Sequence, residues 1–202
     1  MSYLVECIEK YMDAEGCTKG NRRRPLIIPD TSFVVKGCKY DNYEDISWDL
    51  LGDNLSYTDG LKDEYEIHNN TYINGYEKEI SDDVYESLIN YGKHVKEFLD
   101  EDFDEIEAVE KYEDVLDKAI EESFEEENFV SLTDMGILAS AMELYPRRVV
   151  LLSDDDDIVL PANELRNEGY NSYNSGFSNI VAMRNQDICD FLEVMEKKRR
   201  FW

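Results

Sequence analysis

The sequence predicts an α/β fold with a mainly parallel sheet. Short apolar segments, such as residues 26–28 and Val149–Leu152, are typical of buried strands. Longer segments between them carry apolar side chains every three or four residues, which indicates amphipathic helices. Strands that alternate with helices favour parallel pairing through crossover connections.

The start of the chain is expected to lie outside the main domain. Apolar side chains at helical spacing predict a helix over residues 2–13, and the segment "GCTKGNRRRP" follows as a linker. We therefore divide the chain into an N-terminal helical extension with its linker, residues 1–24, and one domain over residues 25–202.

The first strand of that domain, residues 26–28, ends at Pro29-Asp30. Residues 40–70 are rich in polar side chains and weakly periodic, which predicts short helices and loops. Residues 71–73 are expected to form a second strand.

The middle of the chain is helical by its periodicity. A helix is predicted over residues 80–99, with Gly92 as its point of interruption. Residues 100–127 form a second amphipathic helix with a densely acidic outer face. Together these helices constitute an insertion over about residues 80–127.

The last third of the chain returns to alternating strands and helices. Thr133 is the expected N-cap of a helix that contains Asp134 and a run of small residues, "GILASA". The remaining predicted elements are a strand at residues 149–152, a helix at 161–167, a strand at 178–183 and a helix at 187–200.

The charge of the chain restricts its partners. The 202 residues carry 47 acidic and 21 basic side chains, a formal net charge of -26. Such a surface repels nucleic acid unless a local basic patch or a bound cation reverses the field. The chain lacks a long apolar run and a basic, apolar leader, and its four cysteines have no paired spacing. These features predict a cytoplasmic protein without a membrane span.

Acidic side chains follow the predicted strands. Asp30 ends the first strand, the run "DDDD" at residues 154–157 follows another, Asp134 opens a helix, and Glu79 follows the presumed second strand. The carboxyl ends of parallel strands meet at one edge, where clustered carboxylates need a cation such as Mg²⁺ or Mn²⁺. The run "DDDD" alone is more typical of a solvated turn. It is the combination that predicts a metal site.

Three motifs together resemble the PIN-domain nucleases: "LIIPDTSFVV", "LTDMGILASAMEL" and "VVLLSDDDDI". The resemblance implies a three-layer α/β/α sandwich with a central, mainly parallel sheet. It also implies four acids: Asp30, Asp134 and Asp155 by motif, and Glu79, or else Glu77, as the second. Asp154 shares the metal-binding role of Asp155. The neighbouring polar residues that would support the ligands are Thr31, Ser32 and Ser153.

The resemblance also implies a reaction. PIN-domain nucleases hydrolyse phosphodiester bonds of RNA with Mg²⁺ or Mn²⁺ and metal-activated water, as toxins or in RNA processing. Basic side chains are the candidates for contacts with the RNA backbone: Arg22, Arg23, Arg24, Arg147 and Arg148. The acidic helix at residues 100–127 is a candidate surface for a basic protein partner. A homodimer is a further possible assembly.

Two other functions remain. A metal-dependent adhesion module of the von Willebrand A type also begins with a strand and an acid, in the pattern D-x-S-x-S. Asp30 and Ser32 fit that pattern, but Val34 takes the place of the second serine. The third alternative is an inactive PIN fold that serves as an interaction module.

Overall fold

A computed structural model describes residues 25–39, 54–70, 79–99, 102–125, 128–166 and 177–188. These residues form an α/β fold with two parallel sheets. The larger sheet has the strand order β1-β4-β5, where β1 is Leu26–Pro29, β4 is Val149–Leu152 and β5 is Ile180–Met183. The arrangement is compatible with the expected three-layer sandwich.

The three strands are buried along their whole length, which explains why they are almost purely apolar. Leu26 pairs with Val149, and Val149 pairs in turn with Ile180, so the strands start and end level with one another. The polar residues that follow them consequently emerge at a common carboxyl edge. The predicted positions of all three strands are confirmed.

A second, smaller sheet joins β2, Ser56–Tyr57, to β3, Lys93–His94. It lies beside the first sheet, since Leu55 forms a parallel bridge with Ile27. Helix α1 is Thr31–Lys39, and α2, Asp59–Asn69, is the helix that the structure describes within residues 40–70, where short helices and loops were predicted.

The helix predicted over residues 80–99 is shorter than expected. Helix α3, Asp82–Tyr91, ends at Gly92, and β3 and a 3-10 helix, Val95–Phe98, follow. A Cβ at Gly92 would lie 2.2 Å from the carbonyl oxygen of Leu88, so this helix end requires glycine.

The next two helices agree better with the prediction. Helix α4, Glu105–Ser123, carries the expected acidic face on its exposed side. Helix α5, Leu132–Glu143, is buried from Gly136 to Met142, where its small residues allow close packing. Its N-cap is Ser131 and not Thr133 as predicted.

Helix α6, Asp156–Arg166, begins before the predicted start, so Pro161 lies inside the helix and not in its first turn. No helix in the described part of the chain is both long and apolar enough to span a membrane. The predicted extension over residues 1–24, the strand over 71–73 and most of the last helix lie outside the described residues.

Candidate functional site

Asp30 lies at the carboxyl end of β1, where its amide donates to the carbonyl oxygen of Leu152. The residue is only 5% exposed. One carboxylate oxygen, Oδ2, accepts hydrogen bonds from the amide of Ser32 (3.1 Å) and from the hydroxyls of Ser32 and Ser153 (2.9 Å for Ser153). Burial raises the pKa of Asp30 in spite of these bonds. Within the described residues these donors are all neutral, so the charge of Asp30 is poorly compensated.

Ser32 and Ser153 connect the ends of β1 and β4. The hydroxyl of Ser153 donates to Asp30 and accepts from the amide of Asp155 at 2.9 Å. The hydroxyl of Ser32 accepts from the amide of Asp154 at 3.1 Å. These bonds hold the carboxylate of Asp30 in one orientation and position the turn that follows β4.

Asp134 comes to the same edge from the first turn of α5. The hydroxyl of the N-cap residue Ser131 accepts from the amide of Asp134 (3.1 Å) and donates to its carboxylate (2.6 Å). Burial is the main reason that the pKa of Asp134 rises to about 6. Repulsion from three neighbouring carboxylates adds to the shift: those of Asp30, Asp155 and Glu64.

Glu64 is the fourth acid, and it was not predicted from the sequence. Its carboxylate accepts a 2.7 Å hydrogen bond from the hydroxyl of Thr31, directly after Asp30. Burial, and then the charge of Asp30, raise the pKa of Glu64. The next residue, Tyr65, is fully buried and donates its hydroxyl to the carbonyl oxygen of Pro29. Helix α2 is thereby docked against the end of β1.

We call the group Asp30, Glu64, Asp134 and Asp155 the acidic cluster. Its members come from four separate elements, and each of the others raises the pKa of Asp134. Asp155 is the exposed member, whereas Asp30 is buried. The cluster therefore has a solvent side at Asp155 and a closed side at the sheet.

Asp154, predicted as a second ligand beside Asp155, has other partners. Its carboxylate accepts from the amide of Asn185 at 3.1 Å and from the side chain of the same residue, and it lies 3.7 Å from Lys36 Nζ. This carboxylate is used to hold the segment after β5. The described structure therefore does not place Asp154 with the acidic cluster, and its metal-binding role stays a prediction.

The other two aspartates of the run also have separate partners. Asp156 pairs with the guanidinium of Arg184, and Asp157 accepts a 2.7 Å hydrogen bond from the side chain of Asn128. The charge of Asp155 acts on Asp134, and its carboxylate accepts a 3.0 Å hydrogen bond from the amide of Asp157 at the start of α6. The run of four like charges is explained by four different structural tasks.

Glu79, predicted as the second acid, is placed elsewhere. Its carboxylate lies 2.6 Å from Nδ1 of His68, in the last turn of α2, and not with the cluster. Glu64 lies in α2, one turn before His68. It occupies the position expected for the second acid, because α2 is the helix that reaches the edge of the sheet. The spacing of Leu61 and Tyr65 after the N-cap residue Thr58 is the signal that could have revealed this helix. Glu77 lies outside the described residues.

The predicted RNA contacts at Arg147 and Arg148 are also displaced from the cluster. Both residues precede β4, and the carbonyl oxygen of Arg148 accepts from the amide of Leu26 at the amino ends of the strands. Arg147 stacks over the ring of Phe98, 4.4 Å from its centroid. Four strand residues, about 13 Å, separate these arginines from the carboxyl edge. The described part of the chain does not include Arg22, Arg23 and Arg24.

Asp59, His94 and Glu105 form a separate group whose ligand atoms lie within 4.8 Å of one another, a spacing that the acidic cluster does not reach in the described structure. This separate group could hold a metal ion, but its atoms already have partners. His94 Nδ1 accepts from the amide of Lys96 at 3.1 Å, which leaves the proton of the neutral ring on Nε2, 3.0 Å from Asp59. Lys96 Nζ lies 2.7 Å from Asp59, and Glu105 accepts from the amides of Asp59 and Gly60. This group is therefore accounted for as the anchor of the start of α2.

Comparison of the chain with protein-family models, with curated proteins and with solved structures finds no match.

Proposed function

We propose that the chain is a divalent-metal-dependent phosphodiesterase that hydrolyses RNA. The observation that carries the proposal is the acidic cluster, in which the charges of Asp30, Asp155 and Glu64 act on Asp134 at the carboxyl edge of a parallel sheet. Such an arrangement raises the free energy of the metal-free protein, because the charges repel one another and are partly removed from water. We therefore expect the acidic cluster to serve a function that offsets this cost.

The chemistry of the cluster fits a hard cation. The side chains that converge are carboxylates and hydroxyls, and the hydroxyls of Ser32 and Ser153 use one oxygen of Asp30. Oxygen ligands of this kind suit Mg²⁺ and Mn²⁺. Bound there, such an ion would neutralise the cluster, lower the pKa of a coordinated water and stabilise negative charge on a phosphate.

Each side chain has a definite task in this proposal. Asp30 and Asp134 would hold the ion from the closed side, and Asp155 from the solvent side, where substrate enters. Glu64, which accepts hydrogen bonds from the side chains of Thr31 and Thr133, would bind the ion or orient water. The hydroxyls of Ser32 and Ser153 donate to the carboxylate of Asp30, which fixes its orientation and favours its deprotonated form.

The choice of RNA rests on the resemblance to PIN-domain nucleases. The order of the acids along the chain, with Glu64 in place of Glu79, supports that resemblance, as does the parallel sheet. The von Willebrand A alternative needs a ligand hydroxyl at the position of Val34, a fully buried apolar residue. An inactive interaction module is distinguished from the nuclease by the following experiment.

The test is cleavage of a labelled single-stranded RNA with Mg²⁺ or Mn²⁺, by the parent and by Asp30→Asn, Asp134→Asn and Glu64→Gln. We expect metal-dependent cleavage by the parent and at least a ~100-fold loss in the first two variants. Asp117→Asn, an exposed acid on α4, serves as the matched control and should cleave like the parent. Cleavage that persists in EDTA, or that is unchanged in Asp134→Asn, would exclude the proposed mechanism.

A further inference from the structure

The segment before α5 exposes two large apolar side chains. Phe129 is 89% exposed and Leu132 is 59% exposed, whereas Val130 between them is buried. Phe129 is by this measure the most exposed large apolar side chain in the described part of the chain. An aromatic ring held in water on an otherwise strongly charged surface contributes nothing to the core, so folding does not explain it.

This segment is tied to both sides of the acidic cluster. Asn128 donates a 2.7 Å hydrogen bond to Asp157, in the first turn of α6 and two residues after Asp155. On the other side of Phe129, the N-cap residue Ser131 binds both the amide and the carboxylate of Asp134. Residues 128–131 therefore connect the elements that carry Asp134 and Asp155, and Phe129 lies within this segment with its ring exposed to solvent.

We propose that Phe129 is a positioning residue that stacks on an unpaired base next to the bond to be cut, an inference that rests on the proposed function. A chain of net charge -26 offers few cations for phosphates. Stacking supplies affinity without positive charge, because every base has an apolar face. An aromatic ring on the segment that joins these two elements would hold the strand in register with the metal site. Such a contact selects single strands, because bases within a duplex are already stacked.

The test compares Phe129→Ala, Phe129→Leu and Phe129→Trp with the parent on a short single-stranded RNA in Mn²⁺. We expect kcat/KM to fall about tenfold in the alanine and leucine variants, mainly through KM, and to be retained by tryptophan. The ring is exposed, so its loss leaves no cavity and the fold should be unaffected. Tyr91→Ala, another exposed aromatic that lies before β3, is the matched control and should behave like the parent.

A set of RNAs that each lack one base then locates the contact. At one position the missing base should slow the parent but not Phe129→Ala, because the interaction has already been removed. Binding of the same RNAs, measured by fluorescence anisotropy with Ca²⁺ in place of Mn²⁺, provides a readout that does not need cleavage. Equal kinetics and binding for Phe129→Ala and the parent would overturn this inference alone. Binding that depends on Phe129 without any cleavage by the parent would overturn the proposed function, and with it the placement next to a bond to be cut, and would leave only the stacking of Phe129 on RNA.

Discussion

At the scale of single residues, the members of the acidic cluster are all carboxylates but differ in how deeply they are buried. Asp30 is buried and bonded to serines, whereas Asp155 is exposed. Asp134, between these extremes, has a pKa raised to about 6 by burial and by its acidic neighbours. A bound cation would reverse this effect, since it favours the deprotonated form.

The raised pKa of Asp134 predicts a specific pH dependence in metal-free protein. A carboxyl group whose pKa rises on folding contributes stability below its unfolded value, 3.8, and loses it as the pH approaches about 6. Relative to Asp134→Asn, the parent should therefore lose on the order of 1 kcal/mol of unfolding free energy over that interval, since solvent screens the charge of this partly exposed group. Denaturant unfolding of both proteins in EDTA, at several pH values, measures the difference. A constant difference between them would contradict the raised pKa.

At the scale of elements, helix ends and strand ends determine which side chains meet. Ser131 caps the N-terminus of α5 and orients Asp134, and Ser153 positions the turn after β4. Helix α2 depends on tertiary contact, since Tyr65 binds the end of β1. The acidic outer face of α4 does not position any side chain of the acidic cluster. We still propose that this face binds a basic protein partner.

Two glycines provide a matched test of helix packing. Gly92→Ala should lower the unfolding free energy by more than about 1 kcal/mol, because the added Cβ would meet a backbone carbonyl at 2.2 Å. At Gly136, inside α5, an added Cβ would find only an ordinary 3.5 Å contact with Glu105. Gly136→Ala should be neutral or stabilise by up to about 1 kcal/mol. Thermal unfolding of both variants checks the order, and a more damaging effect at Gly136 would contradict it.

At the scale of the whole molecule, the charge of -26 and the acidic cluster should respond to different ions. Monovalent salt screens long-range repulsion and should raise the melting temperature of the parent and Asp30→Asn alike. Mn²⁺ at low concentration should raise the melting temperature of the parent more, because it binds the folded cluster and not the unfolded chain. Calorimetric scans with each salt separate the two effects. Equal shifts with Mn²⁺ in both proteins would indicate nonspecific binding to the acidic surface.

The sequence by itself determined the strands of the main sheet and the placement of Asp30 and Asp155 after them. Those features are local, because burial on both faces demands continuous apolar runs and a strand end places the next residue at the sheet edge. Only the tertiary structure decided that Glu64 and not Glu79 joins Asp134, that Asp154 binds Asn185, and that Arg147 lies at the opposite edge. These outcomes depend on contacts between residues far apart in the chain, such as Tyr65 with Pro29, which periodicity and composition do not encode.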